Sequence, residues 1–257
     1  MAFFSFVGVN VEAAEVIFKN KDGKVLTRSE LKNFDGKVNW EIQSDRKIPE
    51  KAIELHNLGR AYGQKGNNEL AIQHFEKAIK IAPEWPYPYY DLAYTYLLNS
   101  KYKDAYKYYK KTDELAPRGF FTTKTAVHYL GKEQRGELPE GIYLYYLSYE
   151  WSNDPQKKFE IVENLISKFP SFAPAWQKRA GFEEEPKKIL AIIEKGLNAN
   201  PDSETKGFLL MNKAITFANI GKKQEAIEIL GKLALDPNSP LDIEVLSKKT
   251  LAMVIEN

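Results

Sequence analysis

Two stretches of this chain repeat the same order of large and small residues 34 positions apart. Residues 57–83 read NLGRAYGQKGNNELAIQHFEKAIKIAP, and the same residue classes return up to position 117. The matched pairs are Leu58 and Leu92, Gly59 and Ala93, Tyr62 and Tyr96, Ala71 and Ala105, Phe75 and Tyr109, and Pro83 and Pro117. A period of this length predicts a helix–turn–helix unit that must stack on its neighbours to bury its apolar face.

The residues at these matched positions have physical roles that fit a repeated helix–turn–helix unit. Gly59 and Ala71 are small where two helices approach closely, Gly66 turns the chain, and Pro83 ends the second helix. In this pattern the chain resembles the tetratricopeptide-repeat (TPR) family. The segments WPYPYYDLAYTYLL and LAPRGFFTTKTAVHYL are similar to a family of uncharacterised bacterial TPR proteins, and this resemblance covers most of the chain. It implies an all-α, right-handed solenoid.

The rest of the helical part follows the repeat less closely. Ala214, Phe217, Gly221, Ala226 and Leu230 keep the repeat spacing. Helices are also expected at about 139–151, 155–168, 172–182 and 185–199, with a capping helix at 240–255. Residues 118–138 fit no repeat slot and are interpreted as an atypical insertion. The expected TPR superhelix thus spans 49–257.

Residues 1–48 have a different pattern, which predicts a small β-rich N-terminal cap. EVIFK and VNWEI are rich in strand formers, NKDG between them is a turn signal, and Thr27 with Glu30 forms a capping-box pattern. Residues 1–14 also suggest a signal-peptide remnant, but no Lys or Arg precedes their apolar run. An ordinary first strand is therefore the favoured interpretation. Cytoplasm is slightly favoured as the compartment, with periplasm the alternative if these residues are a truncated signal.

The residue types needed for catalysis or metal binding do not occur together in the sequence. There is no cysteine, and the three histidines, His56, His74 and His128, have no metal-ligand spacing. Phosphate-binding glycine loops and the Gly-x-Ser-x-Gly nucleophile pattern do not occur. Asn20 and Asp22 suggest a calcium loop, but positions one and twelve of that loop would be Phe18 and Ser29. We therefore expect no catalytic activity, no cofactor and no metal site.

A protein- or peptide-binding scaffold is the favoured function, and the TPR resemblance implies where its groove lies. The first helix of each repeat lines the concave face, which gives these partner-binding candidates: His56, Arg60, Gln64, Tyr87, Tyr90, Tyr94 and Leu98. TPR proteins that clamp acidic chaperone tails use Lys and Asn in slots that here hold His56 and Arg60. A chaperone-tail adaptor is therefore not expected. One alternative stays open, in which segment 118–138 or the N-terminal cap folds into the groove and covers the tyrosines.

A nucleic-acid binder is the alternative function. Residues 101–124 contain seven Lys or Arg and carry a net charge of +4, with tyrosines interleaved. The whole chain has a net charge of only +2, and four lysines of this segment share one solvated helix face: Lys103, Lys107, Lys110 and Lys111. Nucleic acid is therefore the less favoured partner. No apolar run reaches the roughly 20 residues that a membrane-spanning helix needs.

Overall fold

The structure is a computed structural model that describes residues 15–20, 22, 24–27, 30, 39–43 and 47–256. The chain divides into two compact units, Met1–Lys47 and Ile48–Asn257. The candidate signal-peptide remnant at 1–14 lies outside the described residues.

The first unit contains a three-stranded antiparallel sheet. Its strands are β1 Glu15–Lys19, β2 Val25–Leu26 and β3 Asn39–Gln43, in the order β2-β1-β3. The Asn20 side-chain oxygen forms the β1–β2 turn by accepting from the backbone N–H groups of Asp22 at 3.0 Å and Lys24 at 2.9 Å. The predicted β structure in this segment is confirmed, and the calcium-like sequence is a tight turn.

The capping box in this unit also forms as its sequence indicates. The backbone N–H of Thr27 donates to the Glu30 carboxylate at 2.9 Å, and the backbone N–H of Glu30 donates to the Thr27 hydroxyl at 3.2 Å. Each side chain thus satisfies a backbone donor of the other residue, as a capping box does.

Helices make up the described part of the second unit, which confirms the all-α fold class. Their bounds are α1 Glu50–Gln64, α2 Asn68–Ile81, α3 Pro86–Leu98, α4 Tyr102–Leu115, α5 Thr123–Gln134, α6 Ile142–Trp151, α7 Pro155–Lys168, α8 Ala173–Ala180, α9 Pro186–Asn198, α10 Ser203–Asn219, α11 Lys223–Leu235 and α12 Leu241–Glu256. Consecutive helices joined by short turns pack against each other, so that each helix pair stacks on the next.

The 34-residue period corresponds to close packing between the paired helices. A Cβ atom at Gly59 of α1 would lie 2.5 Å from the ring of Phe75 in α2, so only glycine permits this approach. Ala71 and Ala105, the equivalent small residues of α2 and α4, have no exposed surface. Gly66 makes the turn between α1 and α2 at a φ of 77°, a conformation that favours glycine.

Helix α5 lies within the insertion and is the most enclosed part of the array. It packs on α4, α6 and α10. Eight of its 12 residues are buried, whereas the final helix α12 buries two of 16. The Tyr129 ring lies 4.4 Å from the Phe172 ring, and its hydroxyl accepts from the backbone N–H of Ala173 at 3.1 Å. The insertion is therefore an internal packing element, while α12 closes the end of the array.

We expect Gly59→Ala to destabilise the protein, because the added methyl group would overlap the buried Phe75 ring. Overpacking of this kind costs about 1–3 kcal/mol. Gly63→Ala, on the same helix, is the matched control, since its Cβ would meet only the Ala71 methyl at 3.8 Å. That change should be neutral or stabilise by up to about 1 kcal/mol through helix propensity. Urea denaturation of both variants measures the change in the free energy of unfolding. Equal changes would show that Gly59 has been wrongly placed against α2.

Candidate partner-binding surface

His56, the first predicted groove residue, is a packing residue in the structure. It is 4% exposed, and its Nε2 lies 2.8 Å from the Asp91 carboxylate on α3. Its ring lies edge-on to Trp85 at 4.9 Å. Because little of His56 faces solvent, it contributes to the α1–α3 contact and offers almost no surface to a partner.

Tyr87 and Tyr90 on α3 are covered by the start of the insertion. The Phe120 ring lies edge-on to Tyr87 at 4.7 Å, and the Phe121 ring lies 5.0 Å from Tyr90. The Tyr90 hydroxyl is also 3.2 Å from the Thr122 hydroxyl. Burial raises the pKa of Tyr90 to about 12. The chain's own segment therefore packs on these two predicted groove residues, as in the alternative that the sequence left open.

Tyr94, one turn further along α3, remains partly accessible. It is hydrogen-bonded to Trp151, a residue that was not among the predicted groove residues. The indole Nε1 of Trp151, at the end of α6, donates to the Tyr94 hydroxyl at 3.0 Å. Trp151 keeps 48% of its surface exposed, which is unusual for so large an apolar ring. The two residues are 57 positions apart with no periodic relation, so no sequence pattern joins them.

The other three predicted groove residues are also accessible. Leu98 is 42% exposed and lies one helical turn beyond Tyr94. Arg60 on α1 has a side chain that is 57% exposed, with its Nε 3.7 Å from the Asp91 carboxylate. Gln64 is exposed at the end of α1. We call the set Arg60, Gln64, Tyr94, Leu98 and Trp151 the rim surface.

The basic segment 101–124 does not present its charges freely. The ammonium group of Lys124 pairs with Asp113 at 2.8 Å, and that of Lys111 pairs with Glu114 at 3.3 Å. Arg118 pairs with Glu244, and the ammonium group of Lys107 lies over the Tyr108 ring at 5.2 Å. Three of the seven cations in this segment are thus paired with carboxylates, so that fewer charges remain for contacts with phosphates.

The described residues contain no group of three or more His, Cys, Asp or Glu side chains placed to hold a metal ion. None of the helices that the structure describes is long and apolar enough to span a membrane.

Comparison with protein families identifies the repeat. The family model of the TPR repeat matches residues 59–100, which cover part of α1, all of α2 and all of α3. Residues 59–100 thus match the TPR repeat. A comparison with curated proteins finds no match.

Solved structures of TPR proteins are similar to the chain at low identity. The TPR protein TTC0263 of Thermus thermophilus is 18% identical, with 80% of this chain and 100% of that chain covered and a TM-score of 0.34. YrrB, a TPR protein with an unusual peptide-binding site, is 15% identical, with 77% and 92% covered and a TM-score of 0.33. The TPR2AB domain of yeast Sti1, in complex with pHSP90, is 17% identical, with 78% and 85% covered and a TM-score of 0.34.

Tyr90 and Leu98 should respond differently to truncation, although both were predicted to line the TPR groove. We expect Tyr90→Ala to destabilise by roughly 3–5 kcal/mol, because it removes a ring packed among Phe120, Phe121 and Tyr109. Leu98→Ala should cost less than about 1 kcal/mol, since Leu98 lies at the surface. Thermal denaturation of the two variants measures the difference. A small effect of Tyr90→Ala would mean that the insertion does not cover α3.

Proposed function

We propose that this protein is a scaffold that binds an extended segment of another protein on the rim surface and catalyses no reaction itself. The observation that carries the proposal is the Trp151–Tyr94 hydrogen bond, which holds a half-exposed indole ring in a fixed position. A large exposed aromatic ring beside further apolar surface is typical of protein-binding sites.

The rim surface offers chemistry that suits a peptide. Trp151 and Tyr94 supply large rings with polar edges, and such side chains lose little rotamer freedom on binding. Their mutual hydrogen bond already restrains both rings, so less ordering remains to oppose association. Leu98 adds an exposed apolar contact, and Arg60 supplies a cation that can pair with a partner carboxylate.

The other functions considered have less support. The described residues hold no metal-ligand cluster, and a catalytic arrangement is not evident in the sequence. A nucleic-acid partner needs several free cations on one surface, and three of the seven cations in 101–124, Lys111, Arg118 and Lys124, are paired with carboxylates. The TPR match lies within α1–α3, the helices that contribute four of the five rim residues.

The test is quantitative affinity capture with wild-type protein, Trp151→Ala and Leu235→Ala as bait, followed by mass spectrometry and titration of the captured partner. Leu235→Ala is the control, because Leu235 is 81% exposed on α11 and belongs to no part of the rim surface. We expect Trp151→Ala to weaken binding by ~2 kcal/mol, about 30-fold, with unchanged stability. Leu235→Ala should bind like wild type.

Two results would contradict the proposal. Equal capture by wild type and Trp151→Ala would place the binding site elsewhere. Retention on heparin up to high salt, with loss of binding when Lys103 and Lys110 are changed to Glu, would favour the nucleic-acid alternative instead.

A further inference from the structure

The insertion is tied to the C-terminal end of the helix array by direct contacts. The backbone N–H of Leu241 donates to the Arg118 carbonyl at 2.8 Å. The Arg118 guanidinium donates to the Ser239 carbonyl at 3.1 Å and pairs with Glu244. These contacts join residues more than 100 positions apart, and we call the contact between residues 118–125 and residues 202–244 the seam.

Thr125, at the start of α5, makes the central contact of the seam. Its hydroxyl oxygen lies 3.1 Å from Asp202 Oδ1 and 3.2 Å from Glu204 Oε2. A threonine hydroxyl carries one proton and can donate to only one of these oxygens at a time. If both carboxyls were ionised, one contact would bring two oxygen lone pairs together. Both contacts are hydrogen bonds only when one of the carboxyls carries a proton and donates it to the hydroxyl.

Asp202 is the carboxyl whose two oxygens already accept hydrogen bonds from other groups. Its Oδ1 accepts from the backbone N–H groups of Glu204 and Thr205, each at 3.1 Å, so that it caps the start of α10. Its Oδ2 accepts from the Thr205 hydroxyl at 2.6 Å. Because these donors already occupy both Asp202 oxygens, we assign the proton in the seam to Glu204.

The surroundings of Glu204 agree with this assignment. Glu204 is 6% exposed, and burial, followed by the nearby carboxyls of Asp242 and Asp202, raises its pKa well above the usual range. Burial also raises the pKa of Asp242 on α12. The titratable and charged groups around Glu204 and Asp202 are Tyr90 from α3, His128, Tyr129 and Lys132 from α5, Tyr143 and Tyr146 from α6, Asp242 from α12, and the Arg118–Glu244 pair.

We propose that the protonation state of Glu204 controls the stability of the seam. Protonated Glu204 holds the insertion against α10 and α12, and ionised Glu204 loosens this contact. The sign follows from linkage, because the closed seam binds the proton more tightly than an opened one. The contribution of Glu204 to the closed seam is complete below the ordinary glutamate pKa of 4.5. It is lost as the pH rises through the raised pKa of the closed seam.

The experiment measures the opening of the seam directly. The chain has no cysteine, so one cysteine at Lys103 on α4 and one at Lys249 on α12, both exposed positions, accept a pair of pH-insensitive fluorophores specifically. We expect the energy-transfer efficiency of the labelled full-length protein to fall as the pH is raised from about 4.5 to about 9. In the same labelled background, Glu204→Gln should hold the high efficiency over the whole range, because the amide supplies both donor and acceptor without ionising.

The control is Glu228→Gln on α11, which removes an exposed carboxyl and should show the wild-type pH profile. Asp242→Asn provides a second test if Glu204→Gln folds poorly. It removes a neighbouring negative charge, so a smaller fall in efficiency is expected. A wild-type efficiency that does not change with pH, or a fall that persists unchanged in both Glu204→Gln and Asp242→Asn, would overturn the proposal.

Discussion

Enclosure of helix α5 by the helices around it is the constraint on which the rest of the helical unit depends. A stack of helix pairs alone leaves a concave face open, and aromatic residues on that face would be exposed to water. Here Phe120, Tyr129 and Leu130 of the insertion are at most 1% exposed. The apolar surface that they bury is a large favourable contribution to folding. The insertion also joins the middle of the array to its C-terminal end at the seam.

Because of this enclosure, some aromatic residues of α3 are packed inside the protein while another on the same helix remains accessible to solvent. Tyr90 is packed by the insertion, whereas Tyr94 lies beyond it and bonds instead to the half-exposed Trp151. Four of the five rim residues, Arg60, Gln64, Tyr94 and Leu98, are thus predicted groove residues that remain at least partly accessible. Because the interior is already filled, a partner can reach the rim without first displacing the core.

Local and periodic features of this fold could be predicted from the sequence. The close approach at Gly59 and the turn at Gly66 depend on residues near in sequence and recur in the matched positions of the repeat. The covering of Tyr87 could not be predicted that way, since it depends on Phe120 in a segment without a period. The Trp151–Tyr94 and Thr125–Glu204 contacts join residues 57 and 79 positions apart, and no alternation or spacing rule relates them.

Amide hydrogen exchange, followed by mass spectrometry in the free and partner-bound protein, tests most directly whether the insertion fills the concave face. If the account is right, peptides covering 123–134 exchange as slowly as those of α3 in the free protein, because an enclosed helix opens only with much of the unit around it. Partner binding should then slow exchange at 57–64, 91–98 and 145–151 and leave 123–134 unchanged. Faster exchange at 123–134 when the partner binds would contradict the account, because it would show that the insertion leaves the groove to admit the ligand.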